Sequence, residues 1–234
     1  EADVAPVGER TGGTATAEAA GGRSDCGGGA DRDKVGASRG GHTRGKVVDV
    51  YILPELDVVS SLPRPALGPE DAAVTVDVFE DYACPHCQTF TQDVYPEIRS
   101  KYIDPGEIRY RFFDFPIPVD DEWSWRAASA ARAVQDRADA ETFFAFAKGV
   151  YDNQGQLSDE GHQIVHDLAE DLDLDGCAVA AAAEQEPYRS VVEADRQKGE
   201  DREVPGTPAV FVNGEVLDGY EWETVDSGIQ RRLE

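Results

Sequence analysis

The sequence predicts an α/β fold interrupted by an inserted all-helical domain and preceded by a disordered N-terminal tail. Three observations predict it. An apolar, β-branched run, Val74-Thr75-Val76-Asp77-Val78-Phe79, leads into a helix-like stretch and then a second strand signal at Glu107–Phe113. Helical periodicity then fills Trp123 to about Gly199, with Trp125, Ala128, Ala131 and Val134 on one face and Phe143, Phe144, Ala147 and Val150 on the next. Strand signals return only at Ala209–Asn213 and Glu215–Leu217, joined by an Asn213-Gly214 turn suited to a hairpin. Two half-folds flanking helices make a small α/β sheet with the helical block packed on its rim or face. The expected division is a tail at 1–45, the first half at 46–121, the helical domain at 122–200 and the second half at 201–234.

Residues 1–45 hold 12 of the chain's 23 glycines and no Leu, Ile, Phe, Trp or Tyr. They bury too little apolar surface to offset chain entropy, which predicts the tail. Residues 46–53 alternate as an edge strand does, and Pro54, Pro63, Pro65 and Pro69 then predict a loop up to Asp71. The apolar strand at 73–80 reads as buried on both faces. The helix after it carries Phe90, Val94 and Ile98 to about Tyr102, with Pro96 expected to kink or break it. Asp104-Pro105-Gly106 is a turn, Ile164, Leu168 and Leu172 continue the helical block into the alanine-rich stretch 178–183, and 221–233 closes the chain as a helix. There is no internal repeat.

Between the first strand and its helix lies Cys84-Pro85-His86-Cys87. The spacing puts Cys84 at the first turn and Cys87 three residues on, within disulfide reach. A thiolate there meets unpaired backbone N–H groups and the positive end of the helix dipole. Cysteines so placed have pKa values lowered to roughly 3.5–7.5, which favours attack on a disulfide and makes the sulfur a good leaving group. The pair reads as redox-active.

Composition narrows the setting. Against 22 basic residues, only five of them lysine, stand 47 acidic ones, a formal charge of −25. Such a field repels nucleic acid and anionic membrane surfaces and is expected of an acidic, hydrated, salt-adapted (halophilic) surface. No apolar run approaches the ~20 residues of a membrane span, and no signal peptide is visible in a sequence without Met. Four cysteines, Cys26, Cys84, Cys87 and Cys177, are too few for a disulfide-stapled scaffold.

The residues resemble the thioredoxin superfamily, in particular its DsbA-like branch, where a helical domain interrupts a thioredoxin fold. The likeness rests on Phe79-Glu80-Asp81-Tyr82-Ala83-Cys84-Pro85-His86-Cys87, on Phe112-Phe113-Asp114-Phe115-Pro116, on the helical block, and on Val204-Pro205-Gly206-Thr207-Pro208-Ala209-Val210-Phe211-Val212-Asn213-Gly214. It covers about residues 70–234. It implies a thiol–disulfide oxidoreductase in which Cys84 is the nucleophile, Cys87 the resolving cysteine, and exchange runs through a mixed disulfide on Cys84. Pro85 and His86 would tune the redox poise, His86 by donating to the Cys84 thiolate or, when protonated, stabilising it. The Pro-His dipeptide implies disulfide formation over reduction. Pro208 would be cis beside the Cys pair, with the Thr207 backbone placed to pair with a substrate strand and Tyr82 flanking the disulfide. The implied partners are client proteins with cysteine thiols or disulfides and a redox partner that re-oxidises or reduces the pair. No cofactor or metal is implied, and an extracytoplasmic or cell-surface location is expected, with the cytoplasm as the alternative. One departure stands out. The family often carries a buried carboxylate six residues before the first cysteine, as proton acceptor for the resolving thiol, and here that position is Val78. Asp77 points to the other face by alternation, and Glu80, which shares the parity of Val78, reads as a solvated carboxylate at the strand end, with substitution for the missing carboxylate as the alternative.

Other signals read as structural. His162 and His166 have a zinc-like spacing, but 74 residues separate Cys87 from His162, so two imidazoles at or near the surface are expected. Cys26, in Ser-Asp-Cys-Gly-Gly-Gly, reads as an unstructured thiol and Cys177 as a small core-facing or capping-turn residue. Trp123 and Trp125 read as packing. Two other functions stay open: a thioredoxin-like reductase or isomerase, and a redox-inert module that binds extended peptides or a metal on the same scaffold.

Overall fold

The computed structural model describes Cys26, residues 56–117 and residues 121–234. The rest of the expected tail, and the expected edge strand at 46–53, lie outside the described residues. Five strands form one sheet in the order β1-β3-β2-β4-β5: β1 Ala66–Leu67, β2 Val74–Glu80, β3 Ile108–Asp114, β4 Ala209–Val212 and β5 Glu215–Val216. β2 pairs in parallel with β3, and antiparallel with β4, so Val78 stands between Phe112 and Val210. The parallel pair requires a crossover, which the helix after Cys84 supplies. β1 falls inside the segment expected as a loop. Its edge position needs few ladder bonds, so prolines are tolerated around it, and the Pro65 carbonyl accepts from the Phe112 N–H at 3.0 Å.

The helix after Cys84 does not break at Pro96. It runs as α1 (Pro85–Thr89), a π-helical turn (Phe90–Val94), α2 (Tyr95–Ile98) and a second π turn (Arg99–Ile103). Pro96 has no N–H to close an α turn. The wider turn before it absorbs the loss, with the Tyr95 N–H reaching back to the Phe90 carbonyl. The helical block comprises α3 (Asp121–Arg137), α4 (Ala140–Asp152), α5 (Leu157–Asp171), α6 (Gly176–Gln185) and α7 (Arg189–Asp201), and α8 (Trp222–Leu233) ends the chain.

Both sheet faces are covered, as the mostly apolar run of β2 implies. Val74, Val76, Val78, Tyr110 and Phe112 join the main core with Phe90, Ile98, Phe143 and Phe144. Phe79, Phe113, Phe115, Ala209 and Phe211 form a second cluster on the opposite face. There α7 comes close at Gly199, where a Cβ would stand 2.4 Å from the Phe115 ring. Arg64 lies over Phe113 with its guanidinium carbon 3.8 Å from the ring centroid. Asp77 shares this face and is buried in an ion pair with Arg111 (2.5 Å) and Arg202 (2.7 Å).

Two cysteine readings are corrected. Cys26 is not an unpaired thiol, and Cys177, although it sits in the capping turn of α6, is more than a packing residue. They form a disulfide, with Cα atoms 5.3 Å apart across 151 residues of sequence. Neither lies in a motif, so their pairing depends on a long-range approach that local pattern does not encode.

Candidate functional site

β2 delivers the chain to the N-terminus of α1, where Cys84 is the N-cap residue in extended conformation (φ −81°, ψ 120°) and Pro85 opens the helix. Cys84 and Cys87 are both free thiols. The Cys84 thiol faces the carbonyl of Thr207 at 3.4 Å, across 123 residues of sequence. The Thr207–Pro208 peptide is cis. Thr207 is half-buried and Pro208 buried.

The two sulfurs are pushed in opposite directions. Cys84 is lowered from 9.0 to about 5, chiefly by the hydrogen bond from the Cys87 thiol; burial opposes this, while Thr207 and the backbone N–H groups of Cys87 and His86 add to it. Cys87, wholly buried, is raised well above its usual range by that burial first, and by donating to Cys84. The Asp81 N–H lies 3.5 Å from the Cys87 sulfur.

His86 does not aim its ring at Cys84. Its Nδ1 lies 2.8 Å from the Tyr220 hydroxyl, and it serves the Cys84 sulfur through its backbone N–H. Tyr220, just before α8, was not singled out from the sequence, because nothing local marks a tyrosine 134 residues away as a neighbour of His86. Gln154 was missed for the same reason. From the helical block its Nε2 donates to the carbonyls of Tyr82 (2.7 Å) and Cys84 (3.0 Å), holding the loop that carries Cys84.

Two expectations are corrected. Tyr82 does not flank the disulfide at a substrate surface. It is 1% exposed, stacked on Tyr151 with ring centroids 5.1 Å apart, and supports the loop from beneath. Glu80 is not a solvated strand-end group. It is 3% exposed on the Val78 face and accepts from the Thr91 hydroxyl at 3.2 Å. Burial raises it from 4.5 to about 8, and its charge in turn raises Cys87. A cavity of about 10 Å³, lined in part by Glu80, Thr91, Tyr95 and Tyr151, adjoins it, enough for one water. Asp81 is buried as well. Its carboxylate accepts from the N–H groups of Ala83 (2.9 Å) and Ile117 (2.6 Å) and from the Ser124 hydroxyl (2.9 Å), tying the Cys84 loop to α3.

His162 and His166 do not approach Cys84 and Cys87. His162 Nε2 lies 2.9 Å from a Glu184 carboxylate oxygen and His166 Nδ1 lies 2.9 Å from one of Asp167. Trp123 is buried in the main core, and Trp125 packs under the Arg189 guanidinium at 4.1 Å.

A family model described as Thioredoxin matches residues 60–231. The chain belongs to the thioredoxin family. Disulfide bond formation protein D of Bacillus subtilis (strain 168) is 28% identical over 185 residues, covering 76% of this chain and 82% of that protein. The crystal structure of oxidised BdbD from Bacillus subtilis superposes with a TM-score of 0.66 at 27% identity, over 76% of this chain and 99% of that one. Chlamydia trachomatis DsbA shares the fold at a TM-score of 0.64 and 16% identity, over 76% and 96% of the two chains. This member of the thioredoxin family is a DsbA-like enzyme, a thiol–disulfide oxidoreductase with an inserted helical domain. Its substrates are proteins with cysteines, and its turnover requires a redox partner.

Proposed function

We propose that the chain forms disulfides in client proteins, with Cys84 as nucleophile and leaving group and Cys87 as the resolving thiol. The observation that carries this reading is geometric: Cys84 caps the N-terminus of α1, with the buried Cys87 one turn on and the carbonyl of the cis Thr207–Pro208 peptide 3.4 Å from the Cys84 sulfur. In the oxidised enzyme a client thiolate attacks the Cys84 sulfur and Cys87 leaves, giving a mixed disulfide on Cys84. A second client thiolate attacks the client sulfur of that bond, and Cys84 leaves as a thiolate. An anion stabilised from 9.0 to about 5 favours the reduced enzyme at pH 7 by roughly 3 kcal/mol, about 60 mV toward oxidant for a two-electron couple. Pro85 starts the helix that supplies the N–H groups, and His86 contributes one of them. Glu80, buried on the Val78 face and acting on the Cys87 thiol through its charge, would exchange the Cys87 proton, its pKa of about 8 suiting that task. Thr207 and Pro208 form the edge against which an extended client segment pairs, beside the nucleophile.

The surroundings support an extracytoplasmic or cell-surface setting. The Cys26–Cys177 disulfide persists in an oxidising compartment and not against a reducing thiol pool. Among the described residues, no helix is long and apolar enough to cross a membrane. The acidic excess suits work at high salt.

The test is recovery of activity in a reduced, unfolded client protein that functions only with its disulfides. The oxidised chain should catalyse recovery, and Cys84→Ser should abolish it, as should Cys87→Ser, which cannot carry the Cys84–Cys87 disulfide that supplies the oxidising equivalents. Undiminished catalysis by Cys84→Ser would end the proposal. A Cys84–Cys87 potential near −120 mV fits the oxidant, and one near −270 mV would assign a reductase instead.

A further inference from the structure

The second disulfide has a neighbour that packing alone does not require. Cys177 lies in the first turn of α6, and α6 meets α5 at a point of close approach. A Cβ on Gly176 would stand 2.7 Å from the His166 carbonyl oxygen, so only glycine lets the two helices come this near. The Glu170 carboxylate on α5 fixes that contact by accepting from the Gly176 N–H at 2.8 Å. The result is a cluster of Cys26, His166 and Cys177, with one nitrogen and two sulfurs all within 4.8 Å of one another. The His166 side chain is only 12% exposed, and its Nδ1 lies against Asp167 at 2.9 Å. A carboxylate on one ring nitrogen is the arrangement that orients a metal-ligating imidazole and leaves the other nitrogen's lone pair available.

We propose that Cys26, Cys177 and His166 are a redox-gated site for a thiophilic divalent cation such as zinc, closed while the disulfide stands and open when it is reduced. A dithiol reductant opens the site. It delivers two electrons and two protons to the Cys26–Cys177 bond, leaves as a disulfide, and yields two thiols. The cation then displaces both thiol protons to solvent, binds the two thiolates, and accepts the imidazole lone pair. Zinc–sulfur and zinc–nitrogen bonds of about 2.3 Å and 2.0 Å hold tetrahedral ligands roughly 3.5–3.8 Å apart; the imidazole nitrogen lies within 4.8 Å of both sulfurs, and the sulfurs, bonded to each other in the disulfide, separate to that spacing once reduced. Two soft sulfurs and an imidazole select zinc, cobalt or copper(I) over magnesium or calcium. The surrounding field helps, since a chain of formal charge −25 concentrates cations at its surface. The metal would then hold Cys26 against α6 under conditions that cleave the disulfide.

The test uses the full-length chain carrying Cys84→Ser and Cys87→Ser, so that Cys26 and Cys177 are the only thiols. It is reduced with a phosphine and titrated with cobalt(II) alone, without oxygen. The expected result is one cobalt per chain, with thiolate-to-cobalt charge-transfer bands and the intense visible bands of a tetrahedral site, both erased by zinc. The oxidised chain should show neither. Cys177→Ser should lose the spectrum, and His166→Ala should weaken binding by at least about tenfold, with far-ultraviolet circular dichroism unchanged. Because the reduced parent also lacks the disulfide, Cys177→Ser loses no cross-link that the parent keeps. A folded, reduced parent without the tetrahedral bands, or equal binding by the oxidised chain or by either variant, would overturn the proposal.

Discussion

At Glu80, four residues before the nucleophile, strand parity and burial decide the chemistry. Sharing the Val78 face, it is drawn under α1 and away from water, and its carboxyl is raised from 4.5 to about 8. An acid whose pKa is raised on folding binds more protons in the folded state, so it costs stability as pH climbs from about 4.5 to about 8. Glu80→Gln should therefore be more stable than the parent at pH 8 by a few kcal/mol, with the difference vanishing near pH 4. Urea denaturation at the two pH values reads it. The same variant should slow resolution by Cys87. Tyr220 acts on the neighbouring imidazole. Tyr220→Phe removes the hydroxyl from His86 Nδ1 and frees the ring to turn toward the Cys84 sulfur. A hydrogen bond is worth about 0.5–1.5 kcal/mol net, so a ring N–H that reaches the Cys84 thiolate should move the potential by roughly 10–30 mV toward oxidant. An unchanged potential would reduce the contact to packing.

Among the elements, the joint between sheet and helical block is held by an ionic cluster as well as by apolar packing. Arg132 of α3 is 1% exposed, with Nε 2.6 Å from Asp114 at the end of β3 and Nη2 2.7 Å from Asp195 of α7. Arg64 pairs with the far oxygen of Asp195. Burial raises the Asp114 carboxyl, against the pull of Arg132. Arg132→Ala leaves the buried Asp114 carboxylate without its partner and Asp195 with Arg64 alone, and should cost about 3–5 kcal/mol, measured by denaturant unfolding. Arg132→Met keeps the volume and should cost less only if Asp114 and Asp195 are changed with it. The strand-helix-strand and hairpin signals were legible in the sequence because period-2 and period-3.6 patterns are local. Three features of the elements were not. β1 was hidden among prolines, the π turns around Pro96 depend on which carbonyls find partners, and the Cys26–Cys177 bridge joins residues with no shared pattern.

Across the whole molecule, charge and cross-linking set the working conditions. The formal charge of −25 makes self-repulsion a cost of the compact state. Raising salt from about 0.1 M to about 1 M shortens the screening length from ~10 to ~3 Å, so the melting temperature should rise over that range; a flat or falling trend would remove the salt-adaptation reading. The Cys26–Cys177 bridge closes a separation of 151 residues, worth up to about 5 kcal/mol in the chain-entropy model. Reduction without metal should lower the denaturation midpoint accordingly. By itself the sequence determined the α/β class with its helical insertion and the Cys84–Cys87 pair at a helix N-terminus, since these rest on local periodicity and a contiguous motif; the approach of Thr207-Pro208 came from the family resemblance. Only the tertiary structure decided that Glu80 is buried, that His86 turns to Tyr220, that Tyr82 is a support, and that Cys26 meets Cys177 beside His166. Desolvation and long-range contact depend on what the rest of the chain brings alongside, and no short stretch of residues carries that information.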